Sequence, residues 1–72
     1  MKIYGLIGSR EKAYVVINDD GSETLYSYNT KIMTIKTDRI TRHYNGWTMT
    51  TGKHIKLFSG LNKKEFMEID YE

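Results

Sequence analysis

No cysteine stands anywhere in these 72 residues, so neither a disulfide nor a thiolate metal site can staple the fold, and burial must hold it alone. A chain this short is expected to form one domain, 1–72, that removes only roughly 60% of its unfolded surface from water on folding. The lack of thiols suits a reducing compartment. No apolar run approaches the ~20 residues of a membrane span, and the opening MKIYGLIGSRE lacks the long apolar stretch and small-residue cleavage site of a signal peptide. The expectation is a cytoplasmic protein with no membrane partner.

Six tyrosines, many threonines and no proline favour β structure, because aromatic and β-branched side chains suit a half-buried pleated surface. Strands are predicted over Lys2 to Ile7, Lys12 to Asn18 and Glu23 to Tyr28, with Gly8-Ser9-Arg10 and Asp19-Asp20-Gly21-Ser22 as the turns. Asn29-Thr30 breaks the run. Lys31 to Lys36 then alternates Ile32, Thr34 and Lys36 against Lys31, Met33 and Ile35, which fits a strand without assigning its buried face. After a turn at Thr37-Asp38, Arg39 to Tyr44 and Trp47 to Thr50 flank Asn45-Gly46, the strongest short hairpin signal in the chain.

The period changes after Thr50. Thr51 is the expected N-cap of a helix whose apolar face is His54, Ile55, Phe58 and Leu61, stopped by Gly60. Asn62 with Glu65 three residues on reads as a second cap, so 63–68 is a short helix, although Met67, Ile69 and Tyr71 equally fit an edge strand. The fold class expected is α+β: a small twisted antiparallel sheet of about five strands packed against one C-terminal helix, with a second short helix or an edge strand at the end.

Charge is distributed unevenly. From Lys31 to Lys64 eight Lys or Arg face the single acid Asp38, whereas residues 1–30 sum to −1 and the last eight to −4. The basic stretch also holds Tyr44, Trp47, His43 and His54, so an anionic partner with faces to stack on is its natural match. If Arg39, Arg42, Lys53 and Lys56 converge, they neutralise phosphates while Tyr44 or Trp47 stacks on a base, at roughly 1–3 kcal/mol per base. Against this, lysines on helix faces are usually solvated and Tyr44 and Trp47 suit a core. In a regular strand Arg39 and Arg42 also point to opposite faces.

No enzyme signature is present. The hydroxyls of Ser27, Ser59 and the threonines have no patterned base and carboxylate beside them. Two irregularly spaced histidines make a weak zinc signal, and His54 on an apolar helix face reads as a packed residue hydrogen-bonded to strand backbone. Gly52-Lys53 at a helix start offers N–H groups and an ammonium to a phosphate, but the rest of a P-loop is missing. Neither a metal nor a cofactor is expected.

Two segments carry a family likeness. Tyr26-Ser27-Tyr28-Asn29-Thr30 and Thr50-Thr51-Gly52-Lys53-His54-Ile55-Lys56-Leu57-Phe58 resemble the SYNT and TTxxHIxxF signatures of short uncharacterised proteins from phages and mobile elements of Gram-positive bacteria. That resemblance spans roughly Leu25 to Phe58 and implies a phage-type accessory protein acting in a bacterial host cell, with no catalytic residues to transfer. The expected function is non-enzymatic docking that modulates or inhibits a host nucleoprotein or defence complex. The alternative is sequence-tolerant nucleic-acid binding through 31–64, and a homodimer through an exposed edge strand is compatible with either. The candidate partner-binding residues are Arg39, Arg42, Tyr44, Trp47, Lys53 and Lys56.

Overall fold

The structure, a computed structural model, describes residues 2–6 and 12–71. Five strands, β1 (Lys2–Gly5), β2 (Ala13–Ile17), β3 (Glu23–Ser27), β4 (Thr30–Ile35) and β5 (Ile40–Arg42), precede two helices, α1 (Met49–Ser59) and α2 (Lys63–Met67). The strands lie in chain order and every neighbouring pair is antiparallel, so the sheet is a simple meander. The expected α+β architecture is present, a five-stranded antiparallel sheet with a C-terminal helix, and of the two alternatives for the end of the chain the second short helix forms as α2. Ile7 and the Gly8-Ser9-Arg10 turn fall outside the described residues.

Turn chemistry explains the meander. Gly21 (φ 88°) closes the β2–β3 turn, where Asn18 N–H donates to Ser22 O at 2.8 Å and Gly21 N–H to Asn18 O at 2.9 Å. Thr37-Asp38 turns the chain between β4 and β5, with Lys36 N–H on Arg39 O at 2.7 Å. The β3–β4 connection is tighter than the sequence suggested. Ser27 pairs with Thr30, so Tyr28 (φ 51°) and Asn29 (φ 67°) form a two-residue loop with both residues left-handed, the type I′ requirement.

The hairpin expected at Asn45-Gly46 does not form. Neither residue has a positive φ, residues 43–48 are irregular, and Trp47 to Thr50 is not a strand. The helix instead starts three residues earlier than expected, capped by Thr48, whose hydroxyl oxygen accepts from Thr51 N–H at 3.1 Å. Gly60 (φ 79°) ends it as anticipated, donating to Lys56 O. Around α2 the capping box of Asn62 and Glu65 is present in both directions, at 2.8 and 3.1 Å. Tyr71 then makes a parallel bridge to Arg42, so the final segment is both helix and sheet edge.

One face of the sheet carries the core. Val15, Leu25 and Met33, in register across β2, β3 and β4, pack with Ile55 of α1 and Phe66 of α2, and all five are fully buried. Phe58 is only half-buried against that cluster. Phe66→Ala is therefore expected to cost about 3–5 kcal/mol, and Phe58→Ala distinctly less, in urea denaturation followed by circular dichroism. Equal losses would show that the core is centred elsewhere.

Candidate functional site

The six residues singled out from the sequence do not assemble into one patch. Arg39 is exposed in the β4–β5 connection, and Lys53 and Lys56 are exposed on the outer side of α1. Arg42 lies on the helix-covered face at 8% exposure, the opposite side from Thr41 and His43, as strand alternation requires. Its Nε donates to Ile69 O (3.2 Å) and its Nη1 to Tyr44 O (3.3 Å) and Asn45 Oδ1 (3.2 Å). The guanidinium carbon also stands 5.0 Å from the Tyr71 ring centre and 5.8 Å from that of Phe66. This arginine is occupied in binding its own chain.

The aromatics are occupied likewise. Tyr44 and Trp47 are half-buried against the core, and the Trp47 ring centre lies 5.8 Å from that of Phe66. The indole also covers Gly52 so closely that a Cβ there would sit 2.4 Å from Trp47 Cε2. Gly52 N–H already donates to Thr48 O at 2.7 Å, so the phosphate-binding role considered for Gly52-Lys53 has no open backbone donor at that residue. Gly52→Ala must displace the indole, and a fall in thermal midpoint with increased Trp47 exposure is the expected result. An unchanged midpoint would contradict this packing.

The uncovered face of the sheet holds an organised site that the sequence reading passed over. Leu25 pairs with Met33 but Tyr26 pairs with Lys31, so Ile32 is an extra residue in β4. Through this bulge Ile32 and Met33 are both buried, and Lys31 and Lys36 line the same groove despite their odd spacing. The groove encloses about 350 Å3. Its floor is Thr24, Thr34 and Thr41, cross-strand neighbours on β3, β4 and β5. Tyr26, Lys31 and His43 rise along one side, and Asn18, Ser22 and Lys36 along the other.

Hydrogen bonds order that face. Asn18 Nδ2 donates to Ser22 O (3.3 Å), an acceptor only, which orients the amide; it also reaches Ser22 Oγ (3.0 Å) and Thr24 Oγ1 (3.1 Å). Thr24 Oγ1 lies 2.9 Å from Thr34 Oγ1, which lies 2.8 Å from His43 Nε2. The arrangement that uses every proton runs from Asn18 through Thr24 and Thr34 to His43, leaving Nε2 as the acceptor. At the groove's end, Asp20 accepts from the Ser22 hydroxyl (2.6 Å) and N–H (2.9 Å), with Lys36 Nζ at 3.8 Å. The Ser22 hydroxyl first, then its N–H, holds the Asp20 carboxyl below its ordinary range.

His54 is a packed residue, as expected, but its partner is a side chain. Nδ1 lies 2.7 Å from Ser27 Oγ, both residues are 2% exposed, and the Tyr28 ring sits 6.0 Å away. This pair ties α1 to β3. Among the described residues no group of three or more His, Asp or Glu could hold a metal ion.

Burial, then the charges of Lys53 and Lys12, push the His54 pKa below its ordinary 6.5. The unfolded chain then binds a proton at higher pH than the folded one. Stability is complete above about pH 6.5 and declines as pH falls toward the lowered folded value. Denaturation midpoints are expected to drop between about pH 7.5 and pH 5 and to drop less in His54→Gln. Equal slopes in the two proteins would remove His54 as the cause. Ser27→Ala, which strands a buried imidazole nitrogen, is expected to cost about 1–3 kcal/mol at neutral pH.

Among the described residues no helix is long and apolar enough to cross a membrane. No curated protein and no solved structure matches the chain. A family model, described as a family of unknown function (DUF8033), matches residues 1–71. With that match running nearly end to end, the chain belongs to the DUF8033 family of unknown function.

Proposed function

We propose that this protein is a non-enzymatic binding module that docks on a protein surface through the outer face of α1. The observation that carries the reading is the make-up of that face. Met49 is 91% exposed and Leu57 43%, and Lys53 lies midway between them at helical spacing with Lys56 beside it. The helix contains no acidic residue. Exposed apolar side chains interleaved with lysines complement an acidic protein surface with an apolar recess, whereas a phosphodiester backbone offers Met49 and Leu57 nothing to bury against.

The inward packing of Tyr44 and Trp47 weakens the alternative in which they stack on bases beside the same lysines. Resemblance to phage and mobile-element proteins suggests the partner's setting, a host nucleoprotein or defence complex whose activity the protein modulates or inhibits. β1 is an edge strand with Ile3 and Tyr4 exposed, so a homodimer paired along it is compatible with docking through α1.

Capture from a nuclease-treated bacterial lysate tests this reading by comparing the wild-type chain with K53E/K56E. Both lysines are exposed, so the variant keeps its fold. The expected result is a partner retained by the wild type after nuclease treatment and reduced at least about tenfold by the charge reversal. Capture that survives the reversal, or that disappears with nuclease, would overturn it.

A further inference from the structure

We infer that the groove on the uncovered sheet face is a binding site for a nucleotide unit, either free or as part of a single strand. Its geometry offers three kinds of contact at once. The first is a stacking face. Tyr14 and Tyr26 lie parallel, 5.1 Å apart and 5° between planes, and Tyr14 is held by its hydroxyl donating to Asn29 Oδ1 at 3.1 Å. Tyr14 thus backs one side of the Tyr26 ring, and Tyr26 lines the groove. An aromatic ring supported from behind is a ready platform for a base.

The second is a hydrogen-bonding floor. Thr24 and Thr41 are 4% and 9% exposed, and the chain from Asn18 to His43 fixes the Thr24 and Thr34 hydroxyls before any ligand arrives. Such preorganisation lowers the cost of binding a ribose or a base edge. The third is positive charge at the rim. Lys31, opposite Tyr26 in the register, and Lys36, the residue that follows β4, stand against the single carboxylate of Asp20. An uncharged sugar leaves the lysines unexplained, and a bare anion leaves the Tyr26 face unexplained.

The walls are set by Ser22, just before β3, and Tyr26 within it, four residues apart, or about 13 Å of extended chain. The floor crosses three strands, about 10 Å. Only the open side of the sheet is involved, so this site is independent of the α1 face and the two readings fail separately.

Titration of the 15N-labelled full chain with AMP, adenosine, inorganic phosphate and an oligouridylate of eight nucleotides tests the inference. Saturable amide shifts centred on Tyr26, Lys31, Thr34 and His43 are expected with AMP or the oligonucleotide, each tighter than adenosine or phosphate. A stronger response to AMP identifies a free nucleotide, and a stronger response to the oligonucleotide identifies a strand. Lys31→Glu, at an exposed position, should weaken binding at least about tenfold. Thr34→Val should also weaken it. Phosphate or adenosine binding as tightly as AMP, shifts centred elsewhere, no saturation with any probe, or unchanged affinity in Lys31→Glu would each overturn the assignment.

Discussion

Arg42 is the residue through which the second half of this chain is held to the first. Its backbone N–H donates to Asp70 O at 2.9 Å, its guanidinium reaches Ile69, Tyr44 and Asn45, and the rings of Phe66 and Tyr71 lie beside it. A guanidinium brought to 8% exposure demands such partners, since an ion removed from water without them is strongly unfavourable. The arginine thus draws the irregular 43–48 segment and the chain end onto β5. Phe66 is placed in the core by the same arrangement, Trp47 lies against Phe66, and Gly52 fits beneath Trp47. With no disulfide available, this sequence of contacts fastens α1 and α2 to the sheet, aided by the Ser27–His54 pair.

Both candidate surfaces follow from that one-sided packing. Because the helices cover a single face, the other remains uncovered and is ordered by its own hydroxyl network. The bulge at Ile32 matters most there, since it turns two apolar side chains inward together and brings Lys31 and Lys36 to one groove. The outer side of α1 keeps Lys53, Lys56, Met49 and Leu57 exposed because its buried side is filled by Thr51, Gly52, His54 and Ile55. Basic charge that looks continuous along the sequence is thereby dispersed, with Lys31 and Lys36 at the groove, Lys53 and Lys56 on α1, and Arg42 inside.

Much of the fold was legible because local signals and tertiary packing agree. The aromatic and β-branched residues of Ala13 to Ile17 and Glu23 to Ser27, the glycine at 21, the stop at Gly60 and the capping box of Asn62 each act over a few residues. Where they disagree, packing prevails. Asn45-Gly46 is the better isolated turn, yet Arg42 takes hold of Tyr44 O and Asn45 Oδ1, and the type I′ turn falls at Tyr28-Asn29. Two threonines three apart offer equivalent caps, and Thr48 is used while Gly52 lies one turn inside under Trp47. The groove was hidden for a related reason. A bulge shifts the period-2 phase in mid-strand, and its one trace in the sequence is the adjacent pair Ile32-Met33.

Acrylamide quenching of Trp47, the single tryptophan, in the wild-type chain and in Arg42→Ala tests most directly whether the basic and aromatic segment is internal structure. Quenching is expected to be weaker in the native chain than in urea, and to rise clearly toward the urea value once Arg42 is removed and the chain end is released. Native quenching equal to that in urea, or an Arg42→Ala protein indistinguishable from wild type, would contradict it and return Arg42 and Trp47 to the surface as binding residues.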